Sequence, residues 1–133
     1  MNDIRDIMNT QPLLCTPLTS IENIKKLMSD NGTKEVLVVD TLLEKHLIGK
    51  ISDADISEKS LDQSVLPENL NAEQCMKPLF VTARETFSLE ECERLVLAHH
   101  LDSLAIVDEE GHLCGVFDPR MMLPVVEAIP EFH

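Results

Sequence analysis

The chain repeats itself. Met8 is matched by Met76, Pro12 by Pro78, Thr16 by Thr82 and Leu27 by Leu95. Ser20-Ile21-Glu22 is matched by Ser88-Leu89-Glu90, Val38-Val39-Asp40 by Ile106-Val107-Asp108, and His46-Leu47-Ile48-Gly49 by His112-Leu113-Cys114-Gly115. The offset runs from 66 (His46 to His112) to 68 (Met8 to Met76), about half of 133 residues, so the order is that of a duplication with small length differences in its turns. A single copy of roughly 55 residues would bury too little surface to be secure by itself. The two copies are therefore expected to share a core.

Each copy reads alike. Leu13 to Thr16 and Leu79 to Thr82 follow a proline and are expected to be extended. Thr19 with Glu22, and Ser88 with Glu91, have capping-box spacing and open a helix. Ile21, Ile24, Leu27 and Met28 then share one face, as do Leu89, Cys92, Leu95 and Val96, and Gly32 is placed to stop the first helix. Two strands follow, Glu35 to Asp40 with His46 to Ile51, and Ser103 to Asp108 with Leu113 to Phe117. Asp108-Glu109-Glu110-Gly111 makes the second pair a hairpin. A last helix is expected at Asp53 to Glu58 and at Pro119 to Val126, with Pro124 bending or ending the latter. Lys59 to Asn71 joins the copies as a linker pinned by a few apolar residues.

Composition narrows the function. Twenty-four acidic residues against eleven basic give a net charge of -13, which repels nucleic-acid phosphates and anionic lipid. Trp and Tyr are absent, so aromatic stacking on bases is poorly supplied. Neither nucleic acid nor a membrane is expected as a partner. The four cysteines, at 15, 75, 92 and 114, lack the close spacings of a zinc ribbon or redox pair and read as reduced, buried small hydrophobes. The opening MNDIRDIMNT lacks the basic start and apolar stretch of a signal peptide, and a cytoplasmic location is expected.

The stretches DIMNTQPLLCTPLTSIENIKKLMSDNGTKEVLVVD with LIGKISDADI, and CMKPLFVTARETFSLEECERLVLAHHLDSLAIVDEEGHLCGVF, each resemble a cystathionine-β-synthase-type (CBS) domain. Together they resemble a stand-alone CBS pair, or Bateman module. The resemblance implies an α+β fold of two β-α-β-β-α repeats packed sheet to sheet in pseudo-two-fold symmetry, with repeat 1 over residues 1–58, a linker over 59–71 and repeat 2 over 72–133. It further implies regulatory binding, without catalysis, of AMP, ADP, ATP, NAD, S-adenosylmethionine or another adenosine derivative in clefts between the repeats. A homodimer and a regulated protein partner, whose identity the sequence leaves open, complete the expectation.

The family's ligand signature (Gly, two mostly apolar residues, Ser or Thr, two variable residues, Asp) appears as Gly49-Lys50-Ile51-Ser52-Asp53-Ala54-Asp55. Glycine lets backbone approach a ligand, Ser52 at a helix start can join free N–H groups around a phosphate, and Asp55 can accept from ribose hydroxyls. Without the resemblance, the same residues read as a helix cap with acidic side chains at its positive end. The resemblance also implies a basic side chain just before the middle strand to meet phosphate, which is Lys34 in copy one and is replaced by Asp102 in copy two, and Val36, Leu37, Leu14 and Cys15 are candidates for an apolar adenine slot or equally for plain core. Copy two reads Gly115-Val116-Phe117-Asp118-Pro119-Arg120-Met121. There Asp118 would repel phosphate, Met121 cannot hold ribose hydroxyls, and Arg120 either lends charge to a ligand or is simply solvated.

Other chemistries find less support. Asp53 and Asp55 are too few for a metal site, His99-His100 suits a helix C-terminus, and the equivalent His46 and His112 read as structural hairpin positions. No metal set is expected. No nucleophile has an identifiable base, so catalysis has no positive signal. The alternative to a sensor is a degenerate CBS pair that serves as a ligand-free dimerisation or protein-interaction scaffold.

Overall fold

A computed structural model describes residues 4–61, 69–79 and 81–122, with Met121 and Met122 described by their backbone alone. The elements run α1 (Ile4–Ile7), β1 (Leu14–Cys15), α2 (Ile21–Asn31), β2 (Glu35–Val39), β3 (Leu47–Ser52) and α3 (Asp53–Ser60). Then come α4 (Ala72–Cys75), β4 (Ala83–Arg84), α5 (Leu89–His99), β5 (Leu104–Val107), β6 (Leu113–Phe117) and a 3-10 turn, Pro119–Met122. The expected α+β class holds: each repeat builds one three-stranded sheet, ordered β1-β2-β3 or β4-β5-β6.

Local chemistry explains the helices. Ser88 and Glu91 form the expected reciprocal cap: Glu91 N donates to Ser88 Oγ (3.1 Å), and Ser88 N donates to Glu91 Oε1 (2.9 Å). The α2 cap is Ser20, not Thr19, because Thr19 Oγ1 accepts from Thr16 N at 3.0 Å, leaving Ser20 Oγ to accept from Asn23 N at 3.2 Å. Gly32 ends α2 in the left-handed region, φ 62°, and His100 ends α5 in the same conformation with its N–H on Val96 O. Both amphipathic faces are inward: Ile21, Ile24 and Met28 are buried on α2, and Leu89, Cys92 and Val96 on α5.

β1 lies parallel to β2, Leu14 opposite Leu37 and Cys15 opposite Val38. β4 repeats this pairing with Ala83 opposite Ile106, which starts the second opening strand later than the expected Leu79 to Thr82. Register explains the shift, since Ala83 is the buried small residue that takes the place Cys15 has in the first sheet. β2 and β3 are antiparallel, Glu35 opposite Ser52 through Val39 opposite Leu47, with a bulge at Val38/Val39. The part of Pro119 to Val126 that is described is a 3-10 turn instead of an α-helix, and Leu123 to Val126, with Pro124, lies outside the described residues.

The chain divides into two compact units that cut across the repeats. One comprises Pro12–Phe80 with Glu110–Leu113; the other comprises Met1–Gln11, Val81–Glu109 and Cys114–His133. The short helices α1 and α4, unanticipated in the sequence, account for this. Ala72 and Cys75 of α4 are buried with Cys15, Ile21, Val38 and Ile56. Ile4 of α1 is fully buried with Ala83, Cys92, Leu104 and Phe117. The leading turn of each copy thus completes the core of the other. Of the linker, residues 62–68 lie outside the described residues, while Leu70 is buried in the first core and its carbonyl accepts from Ile21 N at 3.1 Å.

Candidate functional site

β3 delivers the Gly49-to-Asp55 segment to the start of α3. Ser52 is the N-cap, in extended conformation, and it forms a capping box. Asp55 N donates to Ser52 Oγ at 3.1 Å, and Ser52 N donates to Asp55 Oδ2 at 2.9 Å. Two otherwise orphaned N–H groups are satisfied this way. Asp55 stays half-buried, with one carboxylate oxygen in the box. Asp53 N donates to Lys34 O at 2.9 Å, which fixes Lys34 beside the cap while its side chain remains exposed.

The pleat sorts the remaining candidates. Cys15, Val36 and Ile51 belong to the buried core with Val38, and burial pushes the Cys15 thiol up to about 11. Leu14, Leu37 and Lys50 are paired in one row and face the opposite side, because neighbours along a strand alternate. The four apolar slot candidates are therefore not brought onto one face. Lys50 is half-buried with Nζ 3.4 Å from Glu35 Oε2, so its charge is already partly answered.

Gly49 has a structural reason of its own. A Cβ there would come within 2.7 Å of Lys77 O. Lys50 and Lys77 exchange backbone hydrogen bonds, Lys50 N to Lys77 O at 2.9 Å and Lys77 N to Lys50 O at 2.8 Å. The backbone that approaches this glycine belongs to the chain itself. Lys77 thereby stands beside Lys50, with its Nζ 3.6 Å from Glu58 Oε2 on α3, a neighbour hidden in the sequence except through the Met8/Met76 match that aligns Asn9 with Lys77. The second copy repeats the device, since a Cβ on Gly115 would meet Asn9 O at 2.8 Å and Asn9 N donates to Val116 O at 2.8 Å.

Copy two closes differently at the helix start. Arg120 donates to Asp118 from its backbone N (2.9 Å), from Nε (3.0 Å) and from Nη2 (2.8 Å). The side-chain hydrogen bonds from Arg120 hold the Asp118 carboxyl below the usual range. Arg120 is exposed, as a solvated arginine would be, but its guanidinium is committed to Asp118. A third grouping pairs residues read as merely structural in the sequence: the His46 and His112 rings lie with centroids 4.1 Å apart.

A family model described as CBS domain matches residues 4–62 and 72–127. Inosine-5'-monophosphate dehydrogenase of Streptococcus pyogenes is 28% identical over 116 residues, 87% of this chain and 22% of its own length, so the chain spans a minor part of such relatives. A solved structure of CBSX2 in complex with AMP is similar with TM-score 0.79 at 21% identity, covering 97% of this chain and 98% of that one. The CBS-pair protein CBSX2 from Arabidopsis thaliana gives 0.78 at 20% identity, covering 98% and 97%. At these identities the structural likeness speaks to the fold.

Proposed function

The chain belongs to the CBS domain family as a tandem pair, and on that premise we propose that it is a regulatory module that binds an adenosine-containing ligand at its first repeat without catalysing a reaction. The observation that carries this reading is the Ser52–Asp55 box. It holds a half-buried carboxylate at a helix start with Oδ2 anchored by a backbone N–H, a pre-positioned acceptor for ribose hydroxyls. Lys34, fixed beside it by the Asp53 N to Lys34 O hydrogen bond, supplies a cation for phosphate. The AMP complex of CBSX2 supports the ligand class.

With a net charge of -13, a ligand carrying few negative charges is favoured, so AMP or a neutral or cationic adenosine derivative is preferred to ATP. Binding acts by population shift: the ligand stabilises whichever conformation it binds more tightly, and a partner protein reads the result. The reading includes a cytoplasmic homodimer. The dehydrogenase relatives match over about a fifth of their length, and their activity is not assigned to this chain.

A ligand-free scaffold is the second reading, favoured by the Asp118–Arg120 pairing that occupies the corresponding position of copy two. Thermal melts with AMP, ADP, ATP, NAD and S-adenosylmethionine separate the two. A ligand at about 100 times its Kd adds about 2.7 kcal/mol of stability, a shift of several degrees for a chain this size. Stabilisation by at least one adenosine compound is expected; none from any of them would leave the scaffold.

A further inference from the structure

His46 and His112 occupy equivalent places in the two copies, each directly after a residue with positive φ: Lys45 at 57° and Gly111 at 88°. The two histidines meet in an antiparallel bridge. Leu47 N donates to Gly111 O at 3.1 Å, and Leu113 N donates to Lys45 O at 2.8 Å, so the backbone on both sides of the pair is tied. The rings face each other at 4.1 Å with a 34° tilt. Both are half-buried.

A carboxylate stands behind each imidazole. Asp40 Oδ2 is 2.8 Å from His46 Nδ1, and Glu110 Oε2 is 3.5 Å from His112 Nδ1. An ionised carboxylate can only accept, so the short contact places a proton on His46 Nδ1, and it is the neutral form of the ring that offers its Nε2 lone pair to a ligand. Glu44 completes the group: one oxygen of its carboxylate and one nitrogen of each ring lie within 4.8 Å of one another.

We propose that His46, His112 and Glu44 bind a borderline divalent transition-metal ion, Zn²⁺ being the type. Two imidazoles and a carboxylate form a ligand set this class prefers, with water filling the fourth position on the exposed side. Ligand atoms around tetrahedral Zn²⁺ stand roughly 3.3 Å apart for bonds of about 2.0–2.2 Å, and the exposed Glu44 side chain has the freedom to close the difference. Asp40 behind His46 is the outer-shell carboxylate that orients a ligating ring and raises its basicity. Asp40, Glu44 and Glu110 outnumber the Lys45 cation around the pair, so the local charge also attracts a cation. The bound ion would clip the β2–β3 loop to the Glu110–Leu113 segment of the same compact unit.

The test uses the full chain, stripped with a chelator and free of nucleotide, which keeps it separate from the adenosine reading. Titration with ZnCl₂ in a non-coordinating buffer is expected to show one saturable site per chain and a rise in melting temperature. His46→Gln, His112→Gln and Glu44→Gln should each weaken binding about tenfold or more. Glu22→Gln, at an exposed acidic position on α2, should leave the affinity unchanged. The proposal is overturned by the absence of a saturable site. It is equally overturned if the three site variants bind as the parent does, which would assign the ion to the acidic surface in general. Should either histidine variant fold poorly, Glu44→Gln decides alone, and unchanged affinity there refutes the site.

Discussion

The carbonyl oxygen of Lys77 lies 2.7 Å from where a Cβ on Gly49 would stand. Real Cβ atoms do not approach backbone so closely, so any side chain at 49 must displace the segment whose hydrogen bonds run to Lys50. Gly115 is in the same position relative to Asn9 O (2.8 Å) and Met8 Sδ (2.8 Å). Gly49→Ala and Gly115→Ala are each expected to destabilise by about 1–3 kcal/mol, the usual scale for overpacking. Urea denaturation checks this through the midpoint. An unchanged midpoint in either variant would show that the leading segments are not held against the glycines.

Ser52 and Ser88 cap different helices by the same geometry, and only one of them stands at the proposed ligand site. Ser52→Ala and Ser88→Ala should each cost about 1 kcal/mol of stability. AMP affinity should fall in Ser52→Ala and persist in Ser88→Ala. Denaturation and titration on the same preparations check both halves of the statement.

Acid should act through depressed carboxyls. Glu91 is lowered by hydrogen bonds from Ser88, and Asp118 by those from the Arg120 side chain. A carboxyl whose folded pKa lies below its unfolded value contributes stability above the unfolded pKa of about 4, and that contribution is lost as pH falls through the lower folded value. Asp118→Asn should therefore lower stability near neutrality, with the difference from the parent shrinking between about pH 5 and pH 2. Urea midpoints measured across that range give the comparison.

The cysteines should be quiet in the folded chain. Burial pushes Cys15 and Cys92 up to about 11, and burial with the neighbouring Glu85 carboxylate does the same for Cys114. Cys75 is raised as well, by burial. The thiolate is the reactive form, so alkylation near pH 8 should be slow for all four and accelerate on unfolding. Fast labelling of Cys15 or Cys92 in the native state would contradict the packing.

What could be read from the sequence was what neighbouring residues decide among themselves. The Ser88–Glu91 cap, the Gly32 stop and the inward faces of α2 and α5 follow from spacing along the chain. Thr19 against Ser20 could not be settled that way, because Thr16 claims the threonine hydroxyl. The Ala83 register is set by its partner Ile106 across the sheet, not by Pro78 before it. The exchange of α1 and α4 was hidden because Ile4 and Cys75 find their cores far along the chain. At the site, the motif itself was visible, but the pleat that parts Leu14 and Leu37 from Cys15 and Val36 appears only once pairing is known. The His46–His112 pair was present as repeat equivalence, with no hint that the two positions meet.

The central claim is an adenosine-type ligand held through Asp55, and calorimetric titration of AMP into the full chain tests it most directly. Losing a hydrogen-bonding carboxylate costs about 1.5–3 kcal/mol, so Asp55→Ala should weaken AMP roughly 10- to 100-fold. Glu91→Ala removes a capping carboxylate of the same kind from α5 and should leave AMP affinity within about twofold, so that loss of a cap is told apart from loss of a ligand contact. Equal AMP affinity in the parent and Asp55→Ala chains, or no AMP binding to the parent, would contradict the account.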